Sequence, residues 1–184
     1  MSKEILAETV AHTAHAAVGQ LRKYSDEPYI VHPREVAEIV RFYGGSTIQI
    51  QAAFLHDVVE DTSLTVDFIS KMFGTEVATM VDWLTDVSVP DDGNRKIRKA
   101  LDRAHLADAP LEAQFVKVAD LISNTKSICE ANEGFAIVYM QEKELLLRDM
   151  TKIHGTDIYN RAMRLLEQYY VGTPHEPLLT GELK

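Results

Sequence analysis

Apolar residues recur at three- and four-residue steps along almost the whole chain, the period of helices with one buried face. Ile5, Leu6, Val10, Ala14, Ala17, Val18 and Leu21 trace such a face on a first helix. Pro28 and Pro33 bracket a bend, and Val36, Ile39, Val40 and Tyr43 predict a second helix that stops at Gly44-Gly45. A third helix is predicted from Thr47 to Glu60. Phe68 and Met72, then Val77, Met80, Val81 and Leu84, mark two more on either side of Gly74. The stretch SVPDDGN, residues 88–94, holds the clearest loop residues. Beyond it the period predicts helices over Arg95–Ala107, Leu111–Cys129, Phe135–Met150 and Ile158–Tyr170. No alternation is long enough for a sheet, although VSV before Pro90 reads as a short extended piece. No unit of about 20–50 residues repeats. The predicted fold is an all-α helical bundle, a single domain over residues 1–172, with an irregular tail at 173–184.

One helix breaks the apolar rule. FLHDVVEDT sets His56, Asp57, Glu60 and Asp61 among Phe54, Leu55, Val58 and Val59. At about 100° per residue the four polar side chains share one side, and Ala52, Leu55, Val58 and Val59 take the other. As a solvated ladder the arrangement gains nothing, because like charges at i,i+4 repel. Adjacent His and Asp offer one nitrogen and one oxygen, a donor set for borderline and harder divalent metals. Two residues elsewhere are candidates to complete a coordination shell. His32 is held in the Pro-rich turn PYIVHP. Asp120 lies in FVKVADLISNT, where a lone buried carboxylate is costly unless paired or bound to metal. Lys117 and Asn124 fall about one turn either side of Asp120.

Composition narrows the class of function. The 184 residues are 46% hydrophobic and 26% charged, the balance of a globular chain. A net charge of -9 argues against a nucleic-acid surface, which needs a basic face. It leaves room for a small anionic ligand in a locally basic cleft. No apolar run is long enough to span a membrane, and the single Cys129 fits a reducing compartment, so a cytoplasmic location is expected.

Taken together, RKYSDEPYIVHP, AAFLHDVVEDT, the FG of KMFGTEVATMV, and VKVAD with its following Asn resemble the hydrolase domain of the RelA/SpoT family. That domain is part of the HD superfamily of metal-dependent phosphohydrolases. The blocks keep the family's order over residues 19 to 124. The resemblance implies a stand-alone HD-domain helical bundle that removes pyrophosphate from the 3′ position of guanosine tetra- or pentaphosphate. It implies one divalent ion, typically manganese, on His32, His56, Asp57 and Asp120. Glu60 and Asp61 take the place of the family's catalytic acidic pair, and either can be the acid or the base. A bound cation lowers the pKa of its water from about 16 towards 7, which is the chemistry such a pair would serve. Arg22 and Lys23 match the family's basic pair at the nucleotide pocket, and Asn124 its following Asn. Arg95, in the cluster NRKIRKA with Lys96, Arg98 and Lys99, is a phosphate candidate or one cation of a solvated face. Lys117 binds phosphate or pairs with a carboxylate.

The pattern departs from the family in three places. Ala17 stands where a His is common, with His15 nearby. Leu121-Ile122-Ser123-Asn124 replaces Arg-Leu-His-Asn, and LTDVS replaces a VTK-like segment. None is expected to touch a ligand, and each bears on pocket shape. His12, His15, His105, His154 and His175 belong to no block and read as structural or surface residues. Tyr169, Tyr170, Leu178 and Leu179 either close the bundle's end or pack on a second subunit, which leaves a homo-oligomer open. Two other readings stand beside the first: an HD-superfamily nucleotidase for another phosphorylated metabolite, and a regulator that binds nucleotide without turnover. The complete HDxxED block argues against the last.

Overall fold

The structure, a computed structural model, describes residues 2–171 apart from Tyr24 and Asn132. The tail expected at 173–184, with Leu178 and Leu179, lies outside them. Ten α-helices follow in order: α1 Lys3–Ala17, α2 Val31–Phe42, α3 Thr47–Leu55, α4 Val58–Asp61, α5 Val66–Phe73, α6 Thr75–Leu84, α7 Arg95–Asp108, α8 Leu111–Ala131, α9 Glu133–Asp149 and α10 Asp157–Val171. Short 3-10 turns at Pro90–Asp92 and Thr151–Ile153 complete the described part. No strand occurs among the described residues, and the VSV segment does not form one; the one β-bridge joins Leu21 to Pro28. Among the described residues no helix is long and apolar enough to cross a membrane.

Helix starts are written locally. Ser2, Ser46, Thr65 and Asn94 each accept a hydrogen bond from the third backbone N–H of the helix that follows. At Ser46 the Gln49 side chain returns the bond, closing a capping box. α8 is the central post. It packs against α2, α3, α6, α9 and α10, so it is buried nearly all round, from Ala113 and Val116 through Val118 and Ala119 to Leu121. Leu55, Val58, Ile69, Val81 and Leu147 are closed to solvent in the same core. Each such side chain contributes roughly 1.5–3 kcal/mol by leaving water. Gln114 is fully buried and satisfied: its amide donates to the Leu106 and Ala107 carbonyls and accepts from the Ile153 N–H. That ties α7 and the second 3-10 turn to α8.

Two elements differ from expectation. The third helix does not run unbroken to Glu60. It stops at Leu55, and His56 and Asp57 form a turn before α4, with Asp57 at φ -97, ψ -5. The turn buries His56 at the same time as Ala52, Leu55 and Val58, so the polar group is not one solvated face. α1 ends at Ala17, and its buried stripe is Ala7, Ala11 and His15; Ile5, Val18 and Leu21 are each 53% exposed. Small alanines let α1 lie close on α3, which larger side chains would prevent.

Between α8 and α9 the core holds a cation. Lys143 is 1% exposed, donates to Thr125 Oγ1 at 2.8 Å, and has no ion-pair partner among the described residues. Burial pushes its pKa down to about 7. Below that pH both folded and unfolded chains carry the charge and its burial cost is felt in full. Between about 7 and about 10.4 the unfolded chain holds a proton that the folded one lacks, so stability rises with pH. Lys143→Met is therefore expected to stabilise the fold by roughly 1–4 kcal/mol below pH 7, with the gain shrinking towards pH 10. Denaturant melts at pH 6 and pH 9.5 read this directly, and a pH-independent difference would contradict it.

Candidate active site

Three elements bring the predicted residues to one point. His32 sits in the first turn of α2, His56 and Asp57 form the α3–α4 turn, and Asp120 lies midway along α8. One donor atom each from His32, His56 and Asp57 lie within 4.8 Å of one another. Asp57 Oδ2 is 2.9 Å from His56 Nε2 and 3.7 Å from His32 Nε2. Asp120 Oδ1 joins through both imidazoles, at 3.1 Å from His32 Nε2 and 3.8 Å from His56 Nε2.

The far side of each ring fixes what the near side offers. His56 Nδ1 lies 2.8 Å from the Ala53 carbonyl, which can only accept, so Nδ1 carries the proton. His32 Nδ1 lies 3.0 Å from Ser123 Oγ, whose own hydroxyl donates to Glu35 at 2.7 Å. That hydroxyl proton is committed, so His32 Nδ1 is again the donor. Both Nε2 atoms therefore face the two carboxylates. His56 Nε2 is buried and makes no well-directed hydrogen bond despite its short distance to Asp57. These donors turn to a common point more than to each other, and the mixed nitrogen and oxygen set fits a divalent cation.

The charges support one another. Burial works against the charge on His56, but Asp57 and Asp120 outweigh it and push its pKa up to about 9. Burial likewise opposes ionised Asp57 and Asp120; the histidines beside both, and Lys117 beside Asp120, hold them well below the usual carboxylate range. Lys117 Nζ is 2.9 Å from Asp120 Oδ2, so its carboxylate pairing is the reading seen. Tyr29, half-buried next to Asp57, stays protonated and donates to Asp57 Oδ2 at 2.6 Å.

Glu60 and Asp61 diverge instead of sharing one face. Glu60 Oε1 accepts the Asp86 N–H at 2.6 Å, and Asp61 Oδ2 accepts from Gln20 Nε2 at 2.8 Å. Glu60 keeps surface exposure. The protein packed round it, and then the Asp86 carboxylate, push its pKa up to about 7 against the pull of Lys117.

Concave surfaces flank the set. A cavity of about 200 Å³ is lined by Lys117, Asp120, Asn124, Tyr139, Lys143 and Arg95. A cleft of about 540 Å³ is lined by Arg22, Lys23, Tyr29, Asn124, Ser127 and Phe135. Asn124 belongs to both and donates to Asp120 Oδ1 at 2.6 Å while accepting from Arg22 at 3.2 Å. Arg95 is held by Glu142 in a bidentate pair at 2.8 Å, with its guanidinium 5.2 Å from the Phe135 ring centroid and Lys23 Nζ 5.9 Å from the same centroid. The predicted nucleotide contacts are thus gathered at these two openings, although Arg95 and Lys117 already have carboxylate partners.

One of the three departures, at Ser123, touches a candidate metal ligand, contrary to expectation, while Asp86 and His15, at or beside the other two, reach the acidic pair. Ser123 hydrogen-bonds His32, Asp86 in LTDVS binds Glu60, and His15 bonds Gln20, which holds Asp61. Each works from behind a site residue, so spacing on one helix could not reveal it. Tyr29 and Glu35 were likewise unmarked, although both sit within one turn of His32. Ser123→Ala is expected to weaken divalent-metal binding about 10–100-fold by freeing the His32 ring. Titration with manganese measures it, and an unchanged affinity would mean that Glu35 and Ser123 do not orient His32.

Residues 7–133 match the HD domain family. The guanosine-3′,5′-bis(diphosphate) 3′-pyrophosphohydrolase MESH1 of Xenopus tropicalis is 34% identical over 143 residues, covering 75% of this chain and 78% of that protein. The Danio rerio MESH1 is 34% identical over 145 residues, 77% of this chain and 79% of its own. A probable guanosine-3′,5′-bis(diphosphate) 3′-pyrophosphohydrolase of Synechocystis is 38% identical over 121 residues, but the chain spans only 16% of that longer relative. A solved structure described as a metazoan ortholog of SpoT that hydrolyzes ppGpp superposes with a TM-score of 0.80 at 23% identity, over 92% of this chain and 96% of that one, and shares the fold. The chain therefore belongs to the HD domain family and, within it, to the MESH1 group of guanosine-3′,5′-bis(diphosphate) 3′-pyrophosphohydrolases.

Proposed function

We propose that this protein hydrolyses the 3′-diphosphate of guanosine tetra- or pentaphosphate, releasing pyrophosphate and leaving GDP or GTP. The observation that carries the reading is the convergence of two Nε2 atoms and two carboxylates beside the Glu60-Asp61 pair. His32, His56, Asp57 and Asp120 would hold a divalent ion, manganese by family resemblance. When bound, such an ion supplies Lewis-acid chemistry: it acidifies water and neutralises phosphate charge.

The remaining work falls to the protein's own groups. Glu60, with a pKa near the operating pH, can take a proton from water at its free oxygen and return it to the leaving 3′ oxygen. Asp61 offers a second carboxylate on the adjacent residue. Arg22, Lys23 and Asn124 line the larger cleft, where a guanidinium can stack on a base or bridge phosphate oxygens. The net charge of -9 favours a small anionic ligand in this cleft over a nucleic acid. A cytoplasmic setting fits the single cysteine. Tyr170 is 6% exposed and donates to Glu144 in its own bundle, so this tyrosine supports terminal packing over a subunit contact.

Product analysis with guanosine 3′,5′-bis(diphosphate) and manganese tests the reading. Pyrophosphate and GDP in equal amounts are expected. No turnover by folded, manganese-loaded protein would overturn the substrate, and release of single phosphates would point to a different phosphohydrolase of the same superfamily.

A further inference from the structure

We infer that His15 is a positioning residue for the reaction: acting through Gln20, it fixes the carboxylate of Asp61. The inference rests on the pyrophosphohydrolase reading above. It starts from the end of α1. Gly19, at φ +67, occupies the left-handed position that ends a helix, a conformation costly for any residue with a Cβ. The chain then folds back so that the Gly19 N–H bonds the Ala16 carbonyl at 3.0 Å and the Gln20 N–H bonds the His15 carbonyl at 3.0 Å. This paired closure sets the side chains of residues 15 and 20 against each other. An apolar contact usually fills that place, whereas here His15 Nδ1 lies 2.6 Å from Gln20 Oε1.

The direction of the chain follows from Asp61. An ionised carboxylate only accepts, so Gln20 must turn its NH₂ to Asp61 Oδ2, 2.8 Å away. Its carbonyl oxygen then faces His15, and His15 Nδ1 must carry the proton. Among the described residues His15 Nε2 is buried with no partner, and the residue is 1% exposed. None of them offers an acceptor for a second proton there, and burial lowers the ring's pKa against the contrary pull of Gln20, Asp57 and Asp61. The Nδ1 proton of a neutral imidazole thus holds the amide in the orientation that Asp61 requires, and the amide holds one oxygen of Asp61. The other oxygen is the one left to face a reacting group. The His15 ring also packs on Tyr29 at 4.6 Å, and the Tyr29 N–H bonds the Gln20 backbone carbonyl at 3.3 Å, so Tyr29 braces both His15 and Gln20.

A histidine kept only for volume would be replaceable by leucine, so substitution separates the two roles. His15→Leu and Gln20→Met are each expected to lower kcat about 10–100-fold, with KM and manganese affinity within about threefold of the parent. His15→Asn, whose amide can donate from the place of Nδ1, is expected to restore most of the loss. The double variant is expected to be no worse than the worse single one, because both break one chain. Equal kcat in His15→Leu, equal damage in His15→Asn, or additive losses would overturn the inference. If His15→Leu does not fold, Gln20→Met at its half-buried position carries the same comparison. Nitrogen NMR of labelled histidines gives a readout independent of turnover: His15 should show protonated Nδ1 and bare Nε2, and lose that signature in Gln20→Met. A protein inactive on the guanosine substrate with this signature intact would refute the function and not the relay; an active protein with the other tautomer would refute the relay alone.

Discussion

Asp57→Ala is expected to lower kcat/KM by about 10³-fold or more and to erase the stabilisation that manganese gives the parent. Asp57 Oδ2 is the oxygen closest to His56 Nε2, at 2.9 Å, and lies 3.7 Å from His32 Nε2, so its loss removes a donor from the middle of the set. An ion that supplies several kcal/mol of charge stabilisation cannot be lost without such a drop, at about 1.4 kcal/mol for each tenfold. Binding to the folded state alone stabilises by roughly 2.7 kcal/mol at a hundred times Kd, so the melting temperature reports occupancy without reference to turnover. A variant that still gains stability from manganese would place the ion elsewhere.

Glu60→Gln separates chemistry from binding. Glutamine keeps an oxygen for the Asp86 N–H that Glu60 accepts at 2.6 Å, so the local backbone has no reason to shift. What disappears is a carboxyl that titrates at about 7. The expected result is a fall in kcat of about 10²–10⁴-fold with the manganese-dependent melting shift intact. The limb of the pH–rate profile that Glu60 controls should disappear with it. A kcat within about threefold of the parent would assign proton transfer to Asp61.

Why these residues were legible in the chain, and others not, has a physical basis. Helical period and the cost of burying bare carboxylates were enough to pick out His56, Asp57 and Asp120, and the bundle itself follows from apolar spacing. The turn at His56 was invisible because Asp57 stays close to helical dihedrals, and a hydrophobic period does not register a change of axis at a single residue. On α1 the pattern pointed one position away from the buried stripe, since Ala7 and Ala11 carry little hydrophobic weight yet are the residues that allow close packing. Gln20, Glu35, Ser123 and Asp86 each meet a site partner on another element. Their partners are set by tertiary packing, for which one-dimensional spacing has no counterpart.

The scattered origin of the four central donors has a kinetic consequence. They come from α2, the α3–α4 turn and α8, and meet only once α8 has docked against both α2 and α3. A cation can therefore gain full affinity only late in folding, after the transition state has closed most of that core. Interactions absent from the transition state act on the unfolding rate and leave the folding rate nearly unchanged. Metal loading would lengthen the lifetime of the native protein far more than it would hasten its formation, so an ion held there would act as a latch on the finished fold.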